Sequence, residues 1–215
     1  MLNGFLIVAA IGACVLLWRP KLARSAMGRA FAFLVLFLFP VTAGVVGLQA
    51  QIEHAGRTEF CLSCHVMALH GRSLRIDDTS ILVASHYQGG RIPRDTACFS
   101  CHTTYAMFGD LRAKITGLHH MYVNYIKGPP DEKAIRLYEP YNNRECLHCH
   151  TGTRRFEESK VHRLESGRIE KIRNNELSCV MSGCHSTVHE VASLGESADW
   201  APPEDSPKRP AQAVP

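Results

Sequence analysis

The sequence has little that would build a sheet, a large aromatic core or a surface of one charge. Aromatic residues make up 8% of its 215 positions, and no alternating apolar pattern is long enough to predict a sheet. The formal net charge of +4 is mild and spread along the chain, so it predicts neither a nucleic-acid partner nor a strongly anionic one. Charged side chains are missing altogether from residues 1–18 and 30–52, which form two apolar runs.

The cysteine pattern also predicts that the protein has no structural disulfide bonds. Eight of the 9 cysteines fall into four motifs that end in a histidine, and Cys14 alone lies outside them. Three motifs are C-x-x-C-H, at residues 61–65, 98–102 and 146–150; the fourth, at residues 179–185, has four residues between its cysteines. C-x-x-C-H is typical of c-type haem attachment, in which both thiols form thioethers and the histidine reaches the iron.

Structural zinc is the alternative interpretation of these motifs. A structural zinc site takes four ligands, commonly from two C-x-x-C units that close one centre. Here each cysteine pair is followed by its own histidine, which favours four separate sites. We therefore predict four haem c groups, attached through Cys61, Cys64, Cys98, Cys101, Cys146, Cys149, Cys179 and Cys184, with His65, His102, His150 and His185 as the adjacent histidines.

The fold class follows from the small amount of chain available for each haem. Four porphyrins in such a short domain must supply most of its buried apolar surface themselves. We predict a mainly α protein with little regular structure: a membrane helical hairpin plus a small multihaem cytochrome c domain organised around four covalently bound haems. The best helix candidates in that domain are residues 104–127, ended by a Gly-Pro-Pro sequence, and residues 154–165.

The two apolar runs predict a membrane anchor over residues 1–52. A membrane helix needs about 20 apolar residues, which the run at 30–52 provides, whereas the run at 1–18 is near the lower limit. A cleaved signal peptide, or a lipoprotein signal ending at Cys14, would need a basic start that residues 1–18 lack. We therefore expect a helical hairpin, with Pro40 as a possible kink in its second helix. The connector, about residues 19–29, carries Arg19, Lys21, Arg24 and Arg29.

Short positive loops stay on the cytoplasmic side of a membrane, so the hairpin directs the rest of the chain outward. Covalent haem attachment also takes place outside the cytoplasmic membrane. Both observations predict an integral protein of the cytoplasmic (inner) membrane with a periplasmic haem domain at residues 53–199. Residues 200–215 contain five prolines and no apolar run, which predicts an extended tail, disordered alone and held by a partner subunit.

A hydrophobic anchor that leads into C-x-x-C-H, with four haem motifs in all, resembles the NapC/NirT/NrfH family of membrane-anchored tetrahaem quinol dehydrogenases. The first site has the family's form C-x-x-C-H-x-M and ends at Met67. The resemblance runs from about residue 31 to about residue 191. It implies that distal histidines complete the irons of haems two to four, whose proximal ligands would be His102, His150 and His185, and it leaves their pairing open. The matching distal positions are His86, His162 and His189.

The first site is where the resemblance leaves the chemistry open. It points to Met67 as an iron ligand in place of His65, and a methionine that only packs against the porphyrin is the alternative. Family members carry an acidic residue in the helix near haem one, but residues 114–122 contain no carboxylate. Either His120 accepts the protons of quinol, as an imidazole can near neutral pH, or it binds the first iron. His120 and Lys114 are the residues predicted for the quinol pocket.

Two functions are compatible with these expectations. In the first, the chain takes electrons from the membrane quinol or menaquinol pool and relays them through four haems to a periplasmic redox protein. In the second, it is a relay subunit of a larger respiratory or photosynthetic membrane complex, in which another subunit handles quinone. The first-site motif favours the first function. The second apolar run and the missing carboxylate favour the second.

Overall fold

The computed structural model describes residues 2–181, 183–185, 187–192, 194 and 197–201, and over these residues the protein is mainly helical. The described residues contain no strand, and their isolated β-bridge joins Ile76 to Asp199. The chain divides into two compact units, Met1–Ala55 and Gly56–Pro215. The prediction of a mainly α protein without a sheet is therefore confirmed for the described residues.

The N-terminal unit consists of two apolar helices, α1 (Leu2–Trp18) and α2 (Ala26–Ala55), with a short basic turn at Pro20–Arg24 between them. Among the described residues, α2 is the helix long and apolar enough to cross a membrane, whereas α1 is shorter. The two helices approach closely at Gly12, where an added Cβ would lie 2.6 Å from a methyl group of Val35. Helix α2 thus suggests membrane anchoring, and a hairpin that spans the membrane twice stays a prediction.

Pro40 changes the winding of α2 without ending it. Residues Leu34–Leu38 form a π-helical turn, and the Phe39 N–H bonds to the Leu34 carbonyl. A proline has no N–H to donate, and its ring crowds the carbonyl four residues earlier, so a wider turn just before it relieves the clash. The irregularity expected at Pro40 therefore takes the form of a π-turn.

The second unit is a series of short helices joined by turns. The longest helix among its described residues, α7 (Gly109–Tyr122), continues as a π-turn at Val123–Lys127 and ends at Gly128, whose φ is +101°. The end agrees with the predicted 127, but the start is later than 104, because Phe108 adopts a left-handed φ of 64° immediately before the helix. The helices are α3 (Thr58–Leu62), α4 (Ala68–Ser73), α5 (Leu82–Gln88), α6 (Ala97–His102), α7 (Gly109–Tyr122), α8 (Asn143–His150), α9 (Arg154–Glu157) and α10 (Arg168–Arg173).

Helix α9 corrects the second helix prediction. It ends at Glu157, well short of the predicted 165. The Phe156 carbonyl, which would accept an N–H bond in a continued helix, instead lies 3.0 Å from Nδ1 of His162. The chain leaves the helical path here because the histidine side chain returns to the end of the helix.

A small apolar core in the second unit positions two of the predicted iron ligands. It joins α5 and the segment before it to the segment that follows the fourth motif. The Leu82 N–H donates to the Thr187 carbonyl at 3.0 Å, and the Val83 N–H donates to the Val188 carbonyl at 3.3 Å. His86, on α5, and His189, which follows Val188, are thereby tied to the same core. The buried members of the core are Leu74, Ile76, Ile81, Val83, Ala84 and Leu194.

The C-terminal part of the described chain also reaches this core. The Asp77 N–H donates to the Ala198 carbonyl at 2.9 Å, and the Arg72 guanidinium pairs with Asp199 at 3.1 Å. The Arg94 guanidinium lies 5.2 Å from the ring centre of Trp200. Of the predicted tail at 200–215, residues 202–215 lie outside the described part of the chain.

Candidate haem sites

The first motif begins on α3 and ends in a 3₁₀ turn, His65–Met67. The His65 side chain is 93% exposed, and its Nδ1 lies 2.9 Å from a carboxylate oxygen of Glu132. Met67, two residues further, is half-buried. The histidine of this motif is therefore held by an acidic partner, and the methionine lies closer to the interior.

The second and third motifs lie on helices, α6 and α8. Residues three and four apart share one face of a helix, so each cysteine pair and its histidine are presented on the same side. The fourth motif is a turn instead, closed by a hydrogen bond of 3.0 Å from the His185 N–H to the Cys179 carbonyl. Gly183 has a φ of +78° within it. The wider spacing of the fourth motif is accommodated by this turn.

Three pairs of imidazole rings bring together the histidines of motifs two to four and the predicted distal histidines. In each pair, one ring follows a cysteine pair and the other comes from a distant part of the sequence. This arrangement joins six of the predicted ligand positions. The ring-centre distances are 6.3 Å between His102 and His189, 6.0 Å between His86 and His150, and 6.5 Å between His162 and His185.

Each distal histidine uses its Nδ1 in a hydrogen bond with the protein. Two of the partners are backbone carbonyls, which can only accept, so in these two cases the histidine Nδ1 carries the proton and donates it. The third is the Ser73 hydroxyl, whose own proton goes to the His70 carbonyl at 2.6 Å. Protonated Nδ1 leaves Nε2 with the lone pair, which is the form that a metal ligand needs. The bonds run from His86 to Leu82 O at 2.8 Å, from His162 to Phe156 O at 3.0 Å and from His189 to Ser73 Oγ at 2.8 Å.

Burial keeps the two rings of the His102–His189 pair neutral. It lowers the pKa of His189 to about 3, with smaller effects from the nearby His102 and His70. Burial also lowers the pKa of His102, and the neighbouring His120 and His70 add to the effect. A protonated imidazole cannot bind a metal, so the protein holds both rings ready for coordination.

The sequence comparison decides the family. Residues 24–194 match the N-terminal region of the NapC/NirT cytochrome c family. The chain belongs to this family. The resemblance predicted from the first motif is thereby confirmed, and the protein is a multihaem cytochrome c of electron transfer. No match was found among curated proteins or among solved structures.

The second, third and fourth motifs fit the haem c that the NapC/NirT family implies. Two imidazoles on one iron stand about 6 Å apart between ring centres, because each metal–nitrogen bond is about 2 Å and each centre lies about 1 Å further. The three observed distances are 6.0–6.5 Å. Within the described residues, no group of three or more His, Cys, Asp or Glu side chains lies close enough to hold a bare metal ion.

The first motif lacks such a pair among the ring contacts of the described residues. His120 lies 5.3 Å, between ring centres, from Tyr138 rather than from His65. Burial, followed by the neighbouring His119, lowers the pKa of His120. Lys114 places its ammonium group 4.1 Å from the ring centre of Phe99, and the Cys61 thiol lies within its electrostatic reach. The two residues predicted for a quinol pocket thus have different neighbours, and Lys114 is the one that lies beside the first motif.

The cysteines of successive motifs are also neighbours. Cys61 and Cys98 share a hydrogen bond, which lowers the pKa of Cys61 to about 7. Cys146 and Cys179 share another, which raises the pKa of Cys146 and lowers that of Cys179. Cys101 of the second motif is in turn within electrostatic reach of Cys149 of the third, so each motif has a cysteine near the next one along the chain.

Glu132 is the residue at the first motif that sequence reasoning missed. It belongs to a 3₁₀ turn, Glu132–Ala134, and only 22% of its side chain is exposed. The Gly-Pro-Pro sequence just before it ends α7 and turns the chain back, which was the available signal that the following residues could return to the haem sites. The carboxylate was expected on α7 itself, whereas Glu132 lies beyond the turn that follows this helix.

Proposed function

We propose that this chain is a membrane-anchored tetrahaem cytochrome c that takes electrons from the quinol pool and passes them to a periplasmic redox partner. The observation that carries the proposal is the set of three imidazole pairs at 6.0–6.5 Å, in a chain of the NapC/NirT cytochrome c family. The family is one of membrane-associated electron-transfer cytochromes, and α2 is apolar and long enough to cross a membrane.

We assign the axial ligands of haems two to four from the ring pairs. Haem two takes His102 and His189, haem three takes His150 and His86, and haem four takes His185 and His162. The Nδ1–H hydrogen bonds of the three distal rings support this assignment, because they fix the orientation and the tautomer of each ring. The eight motif cysteines would carry the thioethers.

At the first site we propose Met67 as the axial ligand on the side of the motif. Two observations favour it over His65: the His65 ring is tied to Glu132, and no second ring stands opposite it among the described contacts. Methionine raises the potential of a haem relative to histidine. His120 remains the proposed alternative ligand, and its contact with Tyr138 favours the Met67 assignment.

Quinol oxidation also needs a place for protons. We propose Glu132 as the first acceptor, because its partly buried carboxylate lies at the first motif. The Lys114 ammonium lies within electrostatic reach of Cys61 in the first motif and would attract the quinol oxygen as its proton leaves. When bound, haem c supplies one-electron redox chemistry, and the protein supplies position and electrostatics. His120 would be a second proton acceptor further along α7.

The orientation in the membrane rests on the sequence. The connector between α1 and α2 carries Arg19, Lys21 and Arg24, with Arg29 just inside α2, and such positive segments stay cytoplasmic. The end of α2 at residue 55 would then lie on the periplasmic side, where haem is attached. We propose that the haem domain is periplasmic.

Reduction by a quinol analogue tests the function. The purified protein in detergent, loaded with haem, should be reduced rapidly by a menaquinol analogue, and Glu132→Gln should slow that reduction by about 10²-fold or more, the usual contribution of a positioned acid or base. Glu139→Gln is the matched control, because Glu139 is an exposed carboxylate paired with Arg112 at 3.0 Å. If the isolated chain is not reduced by quinol but is reduced within its native complex, it is a relay subunit and the quinol function is wrong.

A further inference from the structure

Two buried polar residues occupy the same register in the first and third motifs. Thr58 and Asn143 each stand three residues before the first cysteine, and their exposed fractions are 6% and 0%. The residues at the same position of the second and fourth motifs, Asp95 and Glu176, are exposed. A buried polar group requires a partner, and both Thr58 and Asn143 find theirs at the next motif in the sequence.

Thr58 binds the backbone of the second motif. Its hydroxyl oxygen accepts the Ala97 N–H at 2.8 Å, and Ala97 immediately precedes Cys98. This N–H is in the first turn of α6, where a helix has no carbonyl of its own to receive it. The bond therefore fixes the start of the second motif against the helix that carries Cys61. The Cys61 and Cys98 side chains are also near enough to shift each other's pKa, so the two attachment points are neighbours.

Asn143 makes the corresponding contact between the third and fourth motifs. Its side-chain oxygen accepts the backbone N–H of Cys179 at 2.9 Å. Its amide group donates to the carbonyls of Ile172 at 2.8 Å and Leu177 at 2.7 Å. The side chain thus holds the fourth motif at its first cysteine, next to the helix that carries Cys146, and the Cys146 and Cys179 side chains shift each other's pKa.

The contact between the second and third motifs is built differently. The Tyr141 hydroxyl donates to the Cys101 carbonyl at 2.6 Å, and the Tyr105 N–H donates to the Glu145 carboxylate at 2.7 Å. These bonds reach the second motif at its far end and do not involve the register of Thr58 and Asn143. The repeated contact is therefore specific to motifs one with two and three with four.

We propose that Thr58 and Asn143 are positioning residues that set the distance and orientation between haems one and two and between haems three and four. The inference rests on the proposed attachment of four haems. A thioether ties the porphyrin edge to its cysteine, so the backbone position of Cys98 or Cys179 fixes the approach of the second porphyrin to the first. Thr58 and Asn143 act on that position through the backbone and touch neither iron nor substrate.

The test compares Thr58→Val with Thr58→Ser in the full-length, haem-loaded protein. Valine has nearly the shape of threonine but no acceptor for the Ala97 N–H, whereas serine keeps the oxygen. The readouts are the haem content by mass spectrometry, the circular dichroism of the Soret band, which reports porphyrin–porphyrin geometry, and the midpoint potentials. Thr58→Val should keep four haems, lose part of the Soret couplet and shift the potentials of one haem pair only. Thr58→Ser should match the natural protein, and Asn143→Leu, which has no acceptor for the Cys179 N–H, should alter the other pair.

Three results would overturn the proposal: a normal Soret couplet with normal potentials in Thr58→Val, equal changes in Thr58→Val and Thr58→Ser, or a lost haem in Thr58→Val. The last would assign Thr58 to folding rather than to positioning. None of these readouts uses quinol, so they leave the proposed quinol function untouched. A natural protein that carries fewer than four haems would instead contradict the proposed function itself.

Discussion

Ser73→Ala should loosen one iron ligand without touching any haem attachment residue. Ser73 is fully buried, and its hydroxyl accepts the Nδ1–H of His189 at 2.8 Å while donating to the His70 carbonyl at 2.6 Å. Alanine removes that acceptor. Because the site is buried, water has no ready route to replace it, and the His189 ring loses the bond that fixes its orientation and tautomer.

The size of the effect follows from the role of such supporting bonds. Loss of an outer partner of a metal-binding histidine typically weakens the metal–ligand interaction about 10- to 100-fold, or about 1.4–2.7 kcal/mol. One haem, the one between His102 and His189, should therefore add a high-spin fraction to whatever the first site contributes in the natural protein. Electron paramagnetic resonance and the absorption band of high-spin haem near the red end of the spectrum would measure this fraction.

Ser85→Ala is the matched control for this experiment. Ser85 precedes a distal histidine in the sequence, but its hydroxyl accepts a bond of 2.8 Å from Arg91 and supports no imidazole. It should leave all haems unchanged. A Ser73→Ala protein whose high-spin fraction equals that of the control would refute the assignment of His189 as a ligand held through Ser73.

Three further predictions concern ligation and folding. His162→Met should raise the midpoint potential of one haem and leave the others unchanged, because methionine favours the reduced iron, and a spectroelectrochemical titration without a shifted wave would contradict the assignment. Gly109→Ala should disturb the start of α7, because the added Cβ would overlap the Thr104 carbonyl oxygen, whereas Gly117→Ala has open space and should stabilise the helix by about 0.5–1 kcal/mol. Ile76→Ala should destabilise the haem domain by about 2–5 kcal/mol in denaturant unfolding, since Ile76 is 1% exposed, and a value near zero would show that this core is not needed.

The parts of the fold that the sequence predicted are those set by local signals. The apolar runs predicted helices, and the Gly-Pro-Pro sequence predicted the end of α7, because each depends on neighbouring residues only. The start of α7 and the early end of α9 could not be read in this way. The first depends on the left-handed backbone of Phe108, and the second on a bond from His162 back to Phe156. A side chain that returns to cap a helix leaves no periodic pattern in the sequence.

The haem sites divide in the same manner. The attachment motifs are contiguous, so the cysteines and their adjacent histidines were predictable from spacing. The distal histidines were predicted from the family resemblance, and the ring contacts on which their proposed pairing rests could be seen only in the structure, because His86 and His189 are positioned by long-range contacts of the apolar core. Glu132 was missed for the same reason, since its contact with His65 depends on a turn between them.

The proposed pairing of His189 with His102 also sets the order in which the second site would mature. A chain is synthesised from its N-terminal end, so Cys98, Cys101 and His102 exist well before His189, whose ring comes to stand 6.3 Å from that of His102. Covalent loading at this motif can therefore come early, while closure of its far side waits for the end of the chain to fold onto Leu82 and Val83. A chain that stops before residues 187–189 could then attach its second haem but would lack the proposed distal ligand of that haem.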